Sequence, residues 1–240
     1  MLILAIDTST RAGSAALIRD SEVLVAVSGY EETPHSTRLF RDVELLQERA
    51  KFRLDQIDVF AVAAGPGSFT GLRVGLTAVK AWAEVHKKPI AAISGLEAIA
   101  AESLGADVPS DSKSQFIAPF LDARRGQLYG AIYRRISGDA RLLALDSDES
   151  ILSQDEFLDL VKGRSPQLVQ LASPTPDVLP ATRLREVLPG ANIVRVSAAL
   201  APAIGRLGFE RAKRGDLVDS ISLDANYVRR SDAESAWKDG

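Results

Sequence analysis

The stretch Gly65-Pro66-Gly67-Ser68-Phe69-Thr70-Gly71-Leu72-Arg73-Val74-Gly75 follows an apolar run at residues 58–64 and leads into a longer one at 72–86. The first run has the length of a strand and the second that of a helix, with glycine and proline punctuating between them. A strand, a glycine loop over residues 65–71 and a helix make the repeating unit of an α/β protein. Such a junction gathers backbone N–H groups and the positive end of a helix at one spot, which suits an anion. It is not a Walker loop, because no Gly-Lys-Ser/Thr follows at the required spacing. Nor is it a dinucleotide fingerprint, since Thr70 stands where the third glycine belongs. The other reading is a tight turn whose glycines allow close packing.

Outward from that junction the chain divides into short elements. Residues 2–7, 14–18 and 23–28 predict strands, the last two joined by the turn-rich Arg19-Asp20-Ser21-Glu22. A helix is predicted over 36–50, where Leu39, Val43, Leu46 and Ala50 recur at helical spacing behind Ser36 as N-cap. Residues 89–93 and 96–104 add a strand and a helix, and the Asp- and Ser-rich 105–114 reads as a linker. The order then restarts, with strands at 115–121, 127–134 and 141–145, a helix at 154–162, a strand at 168–171, a helix at 181–188, a strand at 193–196 and a helix at 198–214. Ile3-Leu4-Ala5-Ile6-Asp7 and Ala118-Pro119-Phe120-Leu121-Asp122 are each an apolar strand closing on Asp before a turn and a second strand. This predicts a duplicated β-β-β-α-β-α-β-α unit, with subdomains 1–104 and 115–240 facing one another across a cleft.

Composition limits the function. The 240 residues are 46% hydrophobic, enough for a core in one or two domains. With no cysteine, a disulfide framework, a Cys-ligated zinc site and a thiol nucleophile are excluded. Thirty-two acidic against 29 basic residues give −3 with no block of like charge. A protein gripping phosphates unaided carries more positive charge, so any nucleic-acid contact is expected through a partner. The apolar run at 2–6 is cut by Asp7 and follows no basic segment, so neither a signal peptide nor a membrane span is expected, and the expected compartment is the cytoplasm.

The helix after the glycine loop carries a second signal. Arg73, Thr77, Lys80 and Glu84 form one narrow polar stripe, and the rest, including Val74, Leu76, Val79 and Trp82, is apolar or glycine. That apolar arc spans about 220°, against the roughly 100° a surface helix needs. The first helix shows a smaller version, with Leu45 off its main stripe and Phe40 widening it. Either the two helices cover each other or they bury a surface against another protein.

Catalytic side chains are sparse. The two histidines, His35 and His86, have no metal-pair spacing, and His86 beside Lys87 and Lys88 reads as a charge at a helix end. No Gly-x-Ser-x-Gly elbow supports a serine nucleophile. Asp7 and Asp122 are carboxylates at strand ends. Asp7 could hold a hydrated magnesium beside a phosphate or cap the turn Thr8-Ser9-Thr10. Arg124 and Arg125 could bind an anion or pair with acids.

Together, Asp7-Thr8-Ser9-Thr10, the eleven-residue glycine segment, Asp122-Ala123-Arg124-Arg125, His35-Ser36 and Tyr227-Val228-Arg229 resemble the bacterial TsaB (YeaZ) family, most densely over residues 1–133. The resemblance implies an actin-like ATPase fold of two RNase H-like subdomains, in a superfamily with an old label as glycoprotease-like peptidases. It implies a part in making threonylcarbamoyladenosine beside the tRNA anticodon. There a TsaD paralogue transfers the threonylcarbamoyl group, and a TsaB subunit is its non-catalytic partner, joined by a TsaE ATPase. In TsaD-like relatives a metal-binding Asn-His-x-x-Gly-His follows the equivalent strand. Here Ser94-Gly95-Leu96-Glu97-Ala98-Ile99 occupies that stretch, and neither Gly95 nor Ile99 can ligate a metal.

The resemblance also implies a contact surface for a TsaD-type paralogue, or for a second copy when alone, on the first two helices. Its expected residues are His35, Ser36, Leu39, Phe40, Leu45, Arg73, Val74, Thr77, Ala78, Ala81 and Trp82. No cofactor is expected to be required. ATP or ADP with magnesium, at the cleft or the partner interface, is the candidate ligand, on Asp7, Thr8, Ser9, Gly65, Gly67, Ser68, Thr70, Gly71, Asp122 and Arg124. The competing expectation is an enzyme, a nucleotide-dependent kinase or hydrolase using Asp7 and the 65–71 loop.

Overall fold

The computed structural model describes residues 1–29, 34–105, 115–136, 139–164 and 169–228. Of the expected linker at 105–114, Gly105 is the last residue of a helix, and 106–114 lie outside the described residues, as does Arg229. Two compact units are present: Met1–Gly95 with Ala198–Gly240, and Leu96–Ser197.

The first unit is built on β1 (Leu2–Asp7), β2 (Ser14–Arg19), β3 (Glu22–Ser28), β4 (Val59–Gly65) and β5 (Ile90–Ser94), ordered β3-β2-β1-β4-β5. β1 pairs antiparallel with β2 and parallel with β4. β4 is buried throughout because both faces are covered, so it reads as an unbroken apolar run, whereas the edge strand β3 alternates. On one face Leu4, Ile6, Leu17, Phe60 and Val62 pack against α1 (His35–Ala50) and α2 (Phe69–His86). α1 buries Leu39, Val43 and Leu46 as its spacing predicts.

The second sheet comprises β6 (Phe116–Arg124), β7 (Gln127–Ile136), β8 (Asp139–Ser153), β9 (Val169–Ser173) and β10 (Ile193–Arg195), ordered β10-β9-β6-β7-β8. Read from the other edge this is the same 3-2-1-4-5 order, with the same two antiparallel and two parallel pairings. The protein is therefore α/β with two mixed sheets of RNase H-like order, as the duplicated pattern predicts. A core of Phe120, Leu128, Ile132 and Leu171 lies under α4 (Gln154–Lys162), which adds Phe157 and Leu158, with Leu184 of α5 (Ala181–Val187) joining it.

The final helix of each repeat departs from the sequence reading. α6 (Ala201–Arg214), expected in the C-terminal subdomain, belongs to the first unit, whose second sheet face it covers. Its small residues are the reason: a Cβ on Gly205 would sit 2.1 Å from Ile18 Cδ1, and one on Gly208 2.9 Å from Ala61 Cβ. The Ala201 amide also donates to Ser14 Oγ at 3.0 Å. Conversely α3 (Gly95–Gly105) lies almost wholly in the second unit, where Gln170 Nε2 donates to the Ser103 carbonyl. The boundaries 1–104 and 115–240 therefore do not follow the packing. Smaller corrections concern helix starts. α1 begins at His35 behind Pro34, α2 at Phe69 and α6 at Ala201. β8 is also longer than the predicted 141–145. Among the described residues no helix is long and apolar enough to cross a membrane.

Candidate functional site

In the first unit the glycine segment meets the turn that follows β1. Ser68, not a loop residue further on, caps α2: its hydroxyl accepts from the Gly71 amide at 3.3 Å and its carbonyl from the Leu72 amide at 2.8 Å. Phe69, Thr70 and Gly71 are thus the first helical turn. The glycines face the chain's own backbone. A Cβ on Gly71 would lie 2.0 Å from the Thr8 carbonyl oxygen, and one on Gly75 2.4 Å from Thr8 Oγ1. At Gly67 it would lie 2.7 Å from the Ser9 carbonyl oxygen. At Gly65, which has φ +121°, it would lie 2.5 Å from the Asn226 carbonyl oxygen. Thr8 Oγ1 donates to the Gly71 carbonyl at 2.7 Å, and the Ser68 amide to the Ser9 carbonyl at 2.8 Å. The segment is a seat for the Thr8-Ser9 turn, and its capping amide is already satisfied within the chain.

Asp7 is buried at the head of that turn. Its Oδ1 accepts from the Ser9 amide at 2.8 Å and the Ser9 hydroxyl at 2.6 Å, and its Oδ2 from Thr10 Oγ1 at 3.3 Å. Burial pushes its carboxyl above the usual carboxylate range, against the opposing pull of the Ser9 and Thr10 hydrogen bonds and the charge of His35. Asp122 lies in the second unit and is partly exposed. Its Oδ1 accepts from the Arg124 amide at 2.7 Å, and its carboxylate pairs with Arg124 Nη1 at 3.6 Å. The next residues form a tight hairpin in which Arg124, Arg125 and Gly126 have φ of 68°, 54° and 74°. Among the described residues no cluster of three or more His, Asp or Glu side chains could hold a metal ion. Gly95 packs toward the Pro66 carbonyl and Ile99 is buried in α3.

One buried cation carries no advance signal beyond its place beside Leu39. Arg38 is buried, with Nε bonded to Asp42 at 2.9 Å. Its Nη1 donates to the Gly29 carbonyl at 2.5 Å and its Nη2 to those of Ala12 and Gly13 at 2.5 and 2.9 Å. The His35 ring lies beside it, 2.8 Å from where a Gly13 Cβ would be. Together they tie the start of α1 to the loop that follows Asp7.

The α1–α2 surface sorts the remaining expected residues. Leu39 and Ala78 are buried in the unit's own core, so they cannot be surface anchors. Val74 and Trp82 are half-buried against that core, and His35 and Leu45 are also half-buried. Ser36, Phe40, Arg73, Thr77 and Ala81 are exposed. Phe40 is 53% exposed and Val85 74%. Trp82 stands edge-on to Phe40 at 6.1 Å and tilted over Phe60 at the same distance, joining the exposed ring to the core. Much of the apolar width of α2 is thus internal packing, leaving a smaller outer patch of Phe40, Ala81, Trp82 and Val85.

Residues 31–186 match the family model for TsaD, tRNA N6-adenosine threonylcarbamoyltransferase. Over 99% of its length the chain is 31% identical to the tRNA threonylcarbamoyladenosine biosynthesis protein TsaB of Bacillus subtilis, covering 98% of that protein. The chain belongs to the TsaB family. The Escherichia coli TsaB protein is 34% identical over 137 residues, 56% of each chain. A crystal structure from Pseudomonas aeruginosa, described as similar to the peptidase YEAZ, superposes with a TM-score of 0.74 at 23% identity over 95% of this chain and 99% of that one. That likeness shows the shared fold. The family takes part in threonylcarbamoyladenosine biosynthesis.

Proposed function

We propose that this chain is the non-catalytic partner subunit in threonylcarbamoyl transfer to adenosine beside the tRNA anticodon. It binds a TsaD-type transferase through the outer face of α1 and α2. The observation that carries this reading is the Phe40–Trp82 pair: one ring exposed, the other rooted on Phe60. A rigid aromatic anchor of this kind, ringed by Ala81, Val85 and the polar Arg73 and Thr77, has the make-up of an interaction hot spot. With no partner the same patch would pair two copies of the chain. A TsaE-type ATPase joins the pair, tRNA is reached only through the complex, and the work is cytoplasmic.

The non-catalytic assignment is supported by Asp7 and the glycine segment. Both Asp7 carboxylate oxygens are engaged in a turn, and backbone atoms of Thr8, Ser9 and Asn226 fill the space beside Gly71, Gly67 and Gly65. A kinase or hydrolase would need that carboxylate turned toward a nucleotide. On this reading the chain itself requires neither ATP nor ADP, and neither magnesium nor another metal.

Light scattering after size-exclusion chromatography, on the chain alone and mixed with the TsaD-type paralogue, tests the proposal. A mixed dimer is expected, and Phe40→Asp or Ala81→Glu should abolish it while leaving circular dichroism unchanged. Both positions are exposed, so unlike Ala78 they can be charged without entering the core. Assembly that survives both changes would rule out this surface, and magnesium-dependent nucleotide turnover lost in Asp7→Ala would favour the enzyme reading.

A further inference from the structure

The segment after α6 touches α2 near both of its ends. α6 stops at Gly215, whose φ of 73° turns the chain back. Val218 then pairs with Ile90 through two backbone hydrogen bonds of 2.8 and 2.9 Å, extending the sheet past β5. Ser220 Oγ donates to Glu84 Oε2 at 2.6 Å, near the end of α2. Leu223, 1% exposed, enters the core shared with Leu72, Leu76 and Val79. The Asn226 amide donates to the Ala64 carbonyl at 2.7 Å, and its own carbonyl oxygen occupies the space beside Gly65. Finally the Tyr227 ring packs tilted at 41° against Phe69, centroids 5.2 Å apart, and the Arg73 guanidinium covers Phe69 at 3.9 Å.

We propose that residues 216–228 are a clasp that sets the position of α2, with Tyr227 its principal positioning residue, and that this position governs docking of the partner. α2 is 18 residues long, about 27 Å. The clasp holds it at Glu84 and at Phe69, the first residue of the helix. Tyr227 is 41% exposed, so its ring is not chiefly a core residue. It acts through Phe69, which presents Arg73 on the outer face. The docking half of this inference rests on the function proposed above; the clasp half does not.

Hydrogen exchange on the full chain decides the clasp half. In Tyr227→Ala the amides of residues 71–76 should exchange about five- to tenfold faster, the factor expected for loss of an aromatic pair. Those of β1, β2 and α1 should be unchanged, and Tyr227→Phe, which keeps the ring against Phe69, should restore protection. Equal exchange in α2, or faster exchange spread over the whole unit, would overturn the clasp. The docking half is read from affinity for the TsaD-type paralogue, which should fall in Tyr227→Ala and recover in Tyr227→Phe. Unchanged affinity with a loosened α2 would overturn that half. If the unaltered chain fails to bind the paralogue, the proposed function and the docking half fall together, while exchange still decides the clasp.

Discussion

Asp7 and Asp122 stand at corresponding ends of β1 and β6, yet the two repeats use them differently. Asp7 is buried in a turn that Thr8 and Ser9 press against Gly67, Gly71 and Gly75. Asp122 is half-buried beside an open hairpin, and a Cβ on Gly126 there would meet nothing within 4 Å. The helix following the fourth strand has 18 residues in the first repeat and seven in the second, where Pro176–Val178 forms a 3-10 turn first. The two sheets share one topology, while among the described residues the glycines pressed closest to backbone atoms lie in the first unit.

Glycine substitution breaks this comparison hardest. Gly71→Ala places a methyl group against a backbone oxygen that cannot swing aside, so urea denaturation should show a loss of about 3 kcal/mol or more. Gly126→Ala has open space and meets only the cost of a left-handed backbone, about 1 kcal/mol. Equal losses would mean that the Thr8 contact yields easily. Next in size is Arg38→Met, which removes four hydrogen bonds from buried or half-buried groups and should cost about 3 kcal/mol by the same measurement. Arg183→Met in the second unit, where an exposed guanidinium pairs with Asp155 and Glu186, should leave the midpoint unmoved.

Acid titration sharpens the contrast through its sign. Folding raises the Asp7 pKa, so the folded chain binds more protons than the unfolded one above pH 3.8, and stability falls as pH rises through that window. In Asp7→Asn this decline should vanish from unfolding curves collected between pH 3.5 and neutrality. Glu156 in the second unit behaves oppositely. Hydrogen bonds from the Ser153 amide and hydroxyl lower its pKa, so its contribution is present above pH 4.5 and lost as pH falls through the folded value. Glu156→Gln should therefore flatten an acid-side loss, where Asp7→Asn removes a decline with rising pH.

The smallest measurable shift separates two helix ends. α6 closes on Gly215, whereas α1 closes on Lys51 at φ 53°. Lys51→Gly should raise the melting midpoint slightly, a gain of about 0.5–1 kcal/mol, because glycine reaches that conformation without the Cβ penalty.

The duplicated strand order was legible because buried strands leave apolar runs of the right length. Leu39, Val43 and Leu46 revealed α1 by spacing alone. The site was legible only in outline. The glycine segment stood out, but nothing in its residue types said that Thr8, Ser9 and Asn226 would fill its open sides. Arg38 looks like any helix-surface arginine until the carbonyls of Ala12, Gly13 and Gly29 converge on it. The destinations of α3 and α6 were hidden for a similar reason. An amphipathic stripe says that a helix will be covered without saying by which sheet.

The placement of α6 has a consequence for how the chain is made. Residues 96–197 form one unbroken stretch, so that unit can close as soon as it leaves the ribosome. The first unit cannot. Although its strands are synthesised first, Ile18, Ala61 and Ala91 stay uncovered until residue 201 and beyond have emerged. During translation the half made earlier is therefore the last to be sealed.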